Sequence, residues 1–283
     1  MLLSEVLEQP FAKRFFIARF ITNFGNGMSP IALAFGILAL PNGNANLLGL
    51  VLGTTTLMFV LMAPFGGVIA DKYGRARVVG LTDMAAGGIL LVQVAYFATG
   101  QVPVAVLLIV NGCYGLLWGI FWPAFTGIMP TIVPKEGLQK ANAINALMTN
   151  SGLILGAASA GFLIDAYGAA ITLGIDAATF LLSGVMVYSL RYLTPRIKDS
   201  KNTMLDDLVH GWKVFISFKW IVIVVIAFSF IVMCWAAAEN VLGPLIALDH
   251  FDGAKSWSIV VTAESIGLCL CADRKSTRLN SSH

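Results

Sequence analysis

Apolar residues in this chain come in long unbroken runs, separated by short polar segments. The runs fall at residues 15–40, 47–70, 78–98, 103–127, 142–164, 169–190 and 220–248. Each reaches the roughly 20 residues that a helix needs to cross the hydrocarbon of a bilayer. The pattern predicts seven spanning helices. Connections such as Pro41-Asn42-Gly43-Asn44 and Thr99-Gly100-Gln101-Val102-Pro103 are short and rich in turn formers, so neighbouring spans should run antiparallel. An eighth run begins at Ser256 and stops at Cys271, short of a full crossing. The longest polar stretch, 191–219, joins the sixth and seventh spans. Within it Leu205, Leu208, Trp212 and Phe215 recur at helical spacing, which reads either as a helix lying on the membrane surface or as a plain linker.

Composition agrees with the pattern. Of 283 residues, 58% are hydrophobic and 12% charged, against about 25% charged in an average soluble domain. Mean hydropathy is +0.83. The net charge of +3 matters less than its distribution. Fourteen Lys and Arg residues fall on one side of the predicted spans (13, 14, 19, 72, 75, 77, 135, 140, 191, 196, 198, 201, 213 and 219), whereas the other side has Lys255 alone. The positive-inside bias then puts the N-terminus in the cytoplasm. Glu5 and Glu8 precede the first basic pair and no small-residue cleavage site follows, so no removable signal peptide is expected. Cys113, Cys234, Cys269 and Cys271 lie in apolar runs without metal or disulfide spacing, and His210, His250 and His283 are scattered. Neither a metal site nor hydrolytic chemistry is expected, and no nucleic-acid partner.

One segment occurs twice. Gly67-Val-Ile-Ala-Asp71-Lys72-Tyr73-Gly74-Arg75-Ala76-Arg77 joins the second and third spans, and Gly161-Phe-Leu-Ile-Asp165-Ala166-Tyr167-Gly168-Ala169-Ala170-Ile171 joins the fifth and sixth. Gly, Asp, Tyr, Gly and Ala coincide at a single offset of 94 residues. Three spans lie within that offset, so the second copy should face the opposite side of the membrane. Its counterparts of Lys72, Arg75 and Arg77 are Ala166, Ala169 and Ile171. Loss of basic charge on the outer copy is what an inverted-topology repeat should show, and such repeats build alternating-access carriers.

The loop Gly67-xxx-Asp71-Lys72-x-Gly74-Arg75-x-Arg77 resembles the signature loop of the major facilitator superfamily. Pro123-Ala124-Phe125, Pro130, Val133-Pro134, Ala141-Asn142-Ala143 and Asp249-His250-Phe251-Asp252-Gly253 are similar to its drug-efflux branch, which includes macrolide exporters and the enterobactin exporter. The resemblance covers residues 10 to about 271 and implies an all-α membrane protein of the major facilitator fold. Residues 1–190 would form an N-terminal six-helix bundle, 191–219 a cytoplasmic linker, and 220–271 about one and a half helices of the second bundle. It also implies a monomeric carrier in a bacterial-type inner membrane, without cofactor and driven by a proton gradient. Such a carrier would move an amphipathic solute such as a macrolide-like drug or siderophore; an uptake symporter of the same fold is the alternative. In the family the loop's Gly lets two helices approach closely, and its Asp holds the cytoplasmic side closed against a helix N-terminus. Gly67 and Asp71 are the matching positions. Arg75 and Arg77 are then basic partners of the loop, or simply part of the positive-inside bias. Two features depart from the branch: residues 103–133 contain no Lys or Arg where an Arg is common, and Ala157 replaces a Pro expected among Gly152, Gly156 and Gly161.

Charges within spans are functional candidates because hydrocarbon penalises them. Arg19 either snorkels to the inner interface or, with Thr22, Asn23 and Asn26, lines a central cavity. Asn111, Tyr114, Trp118 and Trp122 recur along the fourth span, and Trp235 sits on the seventh, which would suit a bulky amphipathic solute. Glu239, beside Asn240 near the outer end of the seventh span, is the candidate for proton coupling. Asp83 and Asp176 read as structural, and Glu264 lies in the incomplete eighth span. Placing Pro41-Asn42-Gly43 over Phe251-Asp252-Gly253 sets the second-half counterpart of Gly67 near residue 277. The polar string 272–283 stands there, and it resembles translated adapter sequence. The expectation is a C-terminally truncated chain with a non-native tail whose polar residues break the eighth helix.

Overall fold

The structure is a computed structural model and describes residues 10–193 and 212–280, with side chains as far as Leu268. Leu205 and Leu208 of the expected surface helix, and most of the linker, lie outside the described residues. Among the described residues there is helix and turn but no strand. In chain order the helices are α1 (Pro10–Leu38), α2 (Ala45–Tyr73), α3 (Arg75–Ala98), α4 (Val104–Thr126), the single turn α5 (Met129–Ile132), α6 (Leu138–Tyr188), α7 (Lys219–Ala237), α8 (Gly243–His250) and α9 (Ala254–Asn280). A short π-helical segment, Ala238–Leu242, connects α7 to α8.

Glycine sets the two sharp turns of the repeated segment. Gly74 has φ 90 and ψ 127 and separates α2 from α3. Gly168, at φ 80 and ψ 169, breaks the 51-residue α6 into two arms, which are the fifth and sixth spans. Positive φ is open to glycine and costly for a residue with a Cβ. At the outer end of α2, Asn44 caps the helix by accepting a hydrogen bond from the Leu47 backbone N–H at 2.9 Å.

Five described helical segments are long and apolar enough to cross a membrane, and one of them carries both arms of α6. α1 falls short on composition because Arg19, Thr22, Asn23, Asn26 and Ser29 interrupt its apolar face. The polar string after Cys271 does not end the helix as expected, since α9 continues to Asn280. Residues 272–280 contain neither Gly nor Pro, and polarity alone does not stop an α-helix.

Helices that share a lipid solvent gain little by hiding apolar surface from each other, so close backbone approach through small residues must hold them together. Two parallel pairs and one antiparallel pair do this. In the first pair, a Cβ at Gly156 would lie 2.1 Å from the Phe24 carbonyl oxygen, and one at Gly27 would lie 2.3 Å from that of Leu153, so α1 runs alongside the first arm of α6. In the second, Gly115 approaches the Thr55 carbonyl (2.2 Å) and Gly66 that of Gly119 (2.5 Å), which joins α2 to α4. Gly80, Gly87 and Gly184 knit α3 against the second arm of α6 in the antiparallel pair. Shifting α2 forward and α4 back by 94 residues carries the Phe59–Gly119 approach to 153–25, two positions from Leu153–Gly27, and the same shift carries Gly80–Tyr188 onto Gly174–Val94, so α3 and the second arm map onto each other. α9 docks on the first arm at Gly161, where a Cβ would meet Ser258 Oγ, Lys255 and Ala254. α7 has no buried residue.

Candidate functional site

The inner loop is built on the end of α2 and the start of α3. Arg75 Nη2 donates to Asp71 Oδ1 at 2.9 Å, with both side chains partly exposed. The Arg75 guanidinium also occupies the space a Cβ at Gly127 would take, just past the last turn of α4. A cation there faces the negative end of the α4 dipole. Gly127 is therefore a site residue that sequence reading missed; its only signal was a glycine following the helix. Lys72 lies 5.5 Å from the centre of the Tyr73 ring. Arg77 is half-buried. The close helix approach expected at Gly67 occurs at Gly66 instead: a Cβ at Gly67 would come no nearer than 3.9 Å to Pro123, because Gly67 is turned one position away from α4.

A first cavity lies between α1, α3, α4 and the second arm of α6. It measures about 20 Å³, and Thr22, Asn26, Asp83, Tyr114, Trp118 and Phe180 are among its walls. Arg19 does not snorkel: it is 4% exposed, with its guanidinium 4.2 Å from the Phe125 ring centre and 5.4 Å from that of Phe121. Cation–π attraction to those faces holds it inward. The fourth span has no basic residue, so α1 supplies the buried cation that lies against it. Arg19 Nε and Nη1 have no hydrogen-bonding partner, nor does Thr22 Oγ1. Asp83 is 1% exposed, accepts a hydrogen bond from Ser183 Oγ at 3.1 Å, and is the countercharge acting on Arg19. Asn23 does not line the cavity; its Nδ2 donates to the Arg19 carbonyl (2.7 Å) and to Thr149 Oγ1 (3.5 Å), tying α1 to α6. Asn111 is likewise committed to structure, donating to Gln93 Oε1 and the Leu107 carbonyl, each at 2.9 Å. Asp176 is fully buried with the Ser29 hydroxyl alongside.

A second and larger cavity, about 190 Å³, opens between α1, the first arm of α6, and the α7–α9 segment. Its polar walls are Asn26, Glu239, Asn240 and Ser265, and its apolar walls include Leu153 and Trp257. Glu239 lies in the first turn of the π-helical segment, an irregularity that recurs at functional positions. Glu264 lies close enough for the two carboxyl groups to act on each other's charge. Asn26 belongs to the walls of both cavities. Trp122 and Trp235 line neither: both are about half exposed on the outer surface, Trp122 in an edge-on contact with Trp118 at 6.4 Å. Trp257 and Ser265 went unrecognised in the sequence because they lie in the incomplete eighth run, where only Glu264 stood out.

Comparison with known proteins accords with this geometry. The chain is 24% identical to the staphyloferrin A transporter of Staphylococcus aureus over 259 residues, which cover 90% of this chain and 64% of that protein. It is 29% identical over 177 residues to the quinolone resistance protein NorA of Staphylococcus aureus, covering 60% and 43% respectively. A 28% match over 143 residues to the MFS-type transporter YfiS of Bacillus subtilis covers 50% of this chain and 33% of the relative. The chain thus spans between about a third and two thirds of the length of these relatives. The sequence profile of the Major Facilitator Superfamily, a family of transporters rather than enzymes, matches residues 15–281. With that match over most of its length, the chain belongs to the Major Facilitator Superfamily.

Proposed function

We propose that this chain is part of a proton-coupled efflux carrier for an amphipathic small molecule, working by alternating access with its N-terminus in the cytoplasm. The reading rests on the second cavity, which lies where the six packed spans meet the α7–α9 segment and has Glu239 in its wall, with Glu264 acting on the charge of Glu239. The pair takes up or gives up a proton, and the change in charge alters how the wall receives a solute. Trp257, Leu153 and Ile31 supply apolar contact, while Asn26 and Asn240 orient polar groups. The proposed substrate is a macrolide-like drug or a siderophore; the names of two relatives record staphyloferrin A transport and quinolone resistance for those proteins. The Asp71–Arg75 pair and Gly127 belong to the inner gate, where α2, α3 and α4 meet.

Expression of the complete carrier in a host stripped of its own pumps should lower the accumulation of a macrolide probe, and collapse of the proton gradient should abolish the effect. Glu239→Gln should abolish gradient-driven efflux while leaving the protein in the membrane. Unchanged efflux in that variant overturns the assignment of Glu239.

A further inference from the structure

The first cavity is too small for a drug, yet a buried polar group without a partner stands in its wall. Thr22 Oγ1 makes no hydrogen bond. Such a group carries a desolvation penalty that a water molecule would remove. At about 20 Å³ the space exceeds the roughly 10–15 Å³ that one water requires. Asp83 stands in the same wall, with Oδ2 engaged by Ser183 and Arg19 near enough to act on its charge without joining it in a direct ion pair. From the other packed elements, the Tyr114 hydroxyl of α4 feels both Asp83 and Asp176. Asn26 is common to this cavity and the larger one.

We propose that the cavity between α1, α3, α4 and α6 holds a water molecule on Thr22 and Asp83, and that Asp83 exchanges a proton through it, past Asn26, with the Glu239–Glu264 pair. In this step the Asp83 O–H bond breaks and its electron pair stays on the carboxylate. The water takes that proton and passes one of its own to water in the larger cavity, which releases a proton to a Glu239 or Glu264 carboxylate oxygen, so charge moves without any oxidant or reductant. Asn26 carries no proton; it hydrogen-bonds water at the partition. Arg19 stabilises the Asp83 carboxylate left behind. The proposal rests on the proton-coupled reading above, but its site is distinct from the substrate cavity, and sequence reading gave Asp83 only a structural role.

Infrared difference spectroscopy of the purified chain in lipid nanodiscs tests the site without requiring transport. The expected result is a protonated-carboxyl band that shifts promptly on transfer to D2O, disappears in Asp83→Asn and persists in Asp176→Asn. Thr22→Val retains the carboxyl group and should shift the band by removing one partner of the water. Asn26→Leu should slow the D2O exchange by closing the partition. A band that survives Asp83→Asn, fails to exchange, or is unmoved by Thr22→Val overturns the site; exchange unchanged in Asn26→Leu overturns the route. Loss of gradient-driven efflux with these spectra intact would count against the carrier reading and not against the water site.

Discussion

The turn at Gly74 and the turn at Gly168 have nearly the same backbone and opposite chemistry. Each follows an Asp-x-Tyr sequence and places its glycine at positive φ, 90° and 80° respectively. On the inner turn Asp71 is paired with Arg75, and a Cβ at Gly67 would meet only Pro123, at an ordinary contact distance of 3.9 Å. At the outer turn Ala169 stands where Arg75 would be, and the counterpart glycine, Gly161, is covered by the first turn of α9. Local conformational need preserves Asp, Tyr and Gly in both copies, whereas the side of the membrane selects the charges around them.

The largest effect should come from exchanging those charges. Moving Lys72, Arg75 and Arg77 onto Ala166, Ala169 and Ile171, with the reverse substitutions on the inner turn, should leave a substantial share of molecules inverted or poorly inserted. Labelling of single cysteines from either side of the membrane measures that share. A wholly normal orientation would show that other basic residues, such as Lys13 and Arg14, suffice.

Next come the glycine approaches that accompany the turns. Gly66→Leu and Gly156→Leu each drive a side chain into a carbonyl on the facing helix and should destabilise by about 3 kcal/mol or more. Thermal unfolding in detergent reads the loss; Gly67→Leu, with only Pro123 at contact distance, should cost far less. The turn glycines themselves follow: Gly74→Ala and Gly168→Ala should each cost about 1–2 kcal/mol. If one of these substitutions were free, the two turns would not be equivalent in the way their dihedral angles indicate. Smallest of all is Arg75→Ala, which breaks a partly exposed ion pair and should change stability by about 0.5 kcal/mol. Its larger consequence should be functional, an inner gate that closes poorly, measured by the accessibility of Thr126→Cys with Arg75 present and with Arg75→Ala.

Much of the architecture could be read before any coordinates. Runs of spanning length fixed where helices cross, and Asp71-x-Tyr73-Gly74 repeated at Asp165-x-Tyr167-Gly168 identified the turns. Positions of contact between helices were much less legible. Gly66 and Gly67 are adjacent and identical in composition, and a rotation of about 100° on the helix decides which one meets α4. Trp122 and Trp118 lie one turn apart, yet only Trp118 reaches a cavity.

Hydrophobic period, glycine placement and charge asymmetry are local properties, so sequence alone determined the spans, the two turns and the expected orientation. Which buried groups face one another depends on the rotation and axial register of separate helices. Tertiary structure therefore decided that Arg19 turns inward onto Phe125, that Glu239 of the π-helical segment feels the charge of Glu264 on α9, and that Asn26 divides two cavities. These pairings join residues distant along the chain, and their energy exists only once the helices have packed.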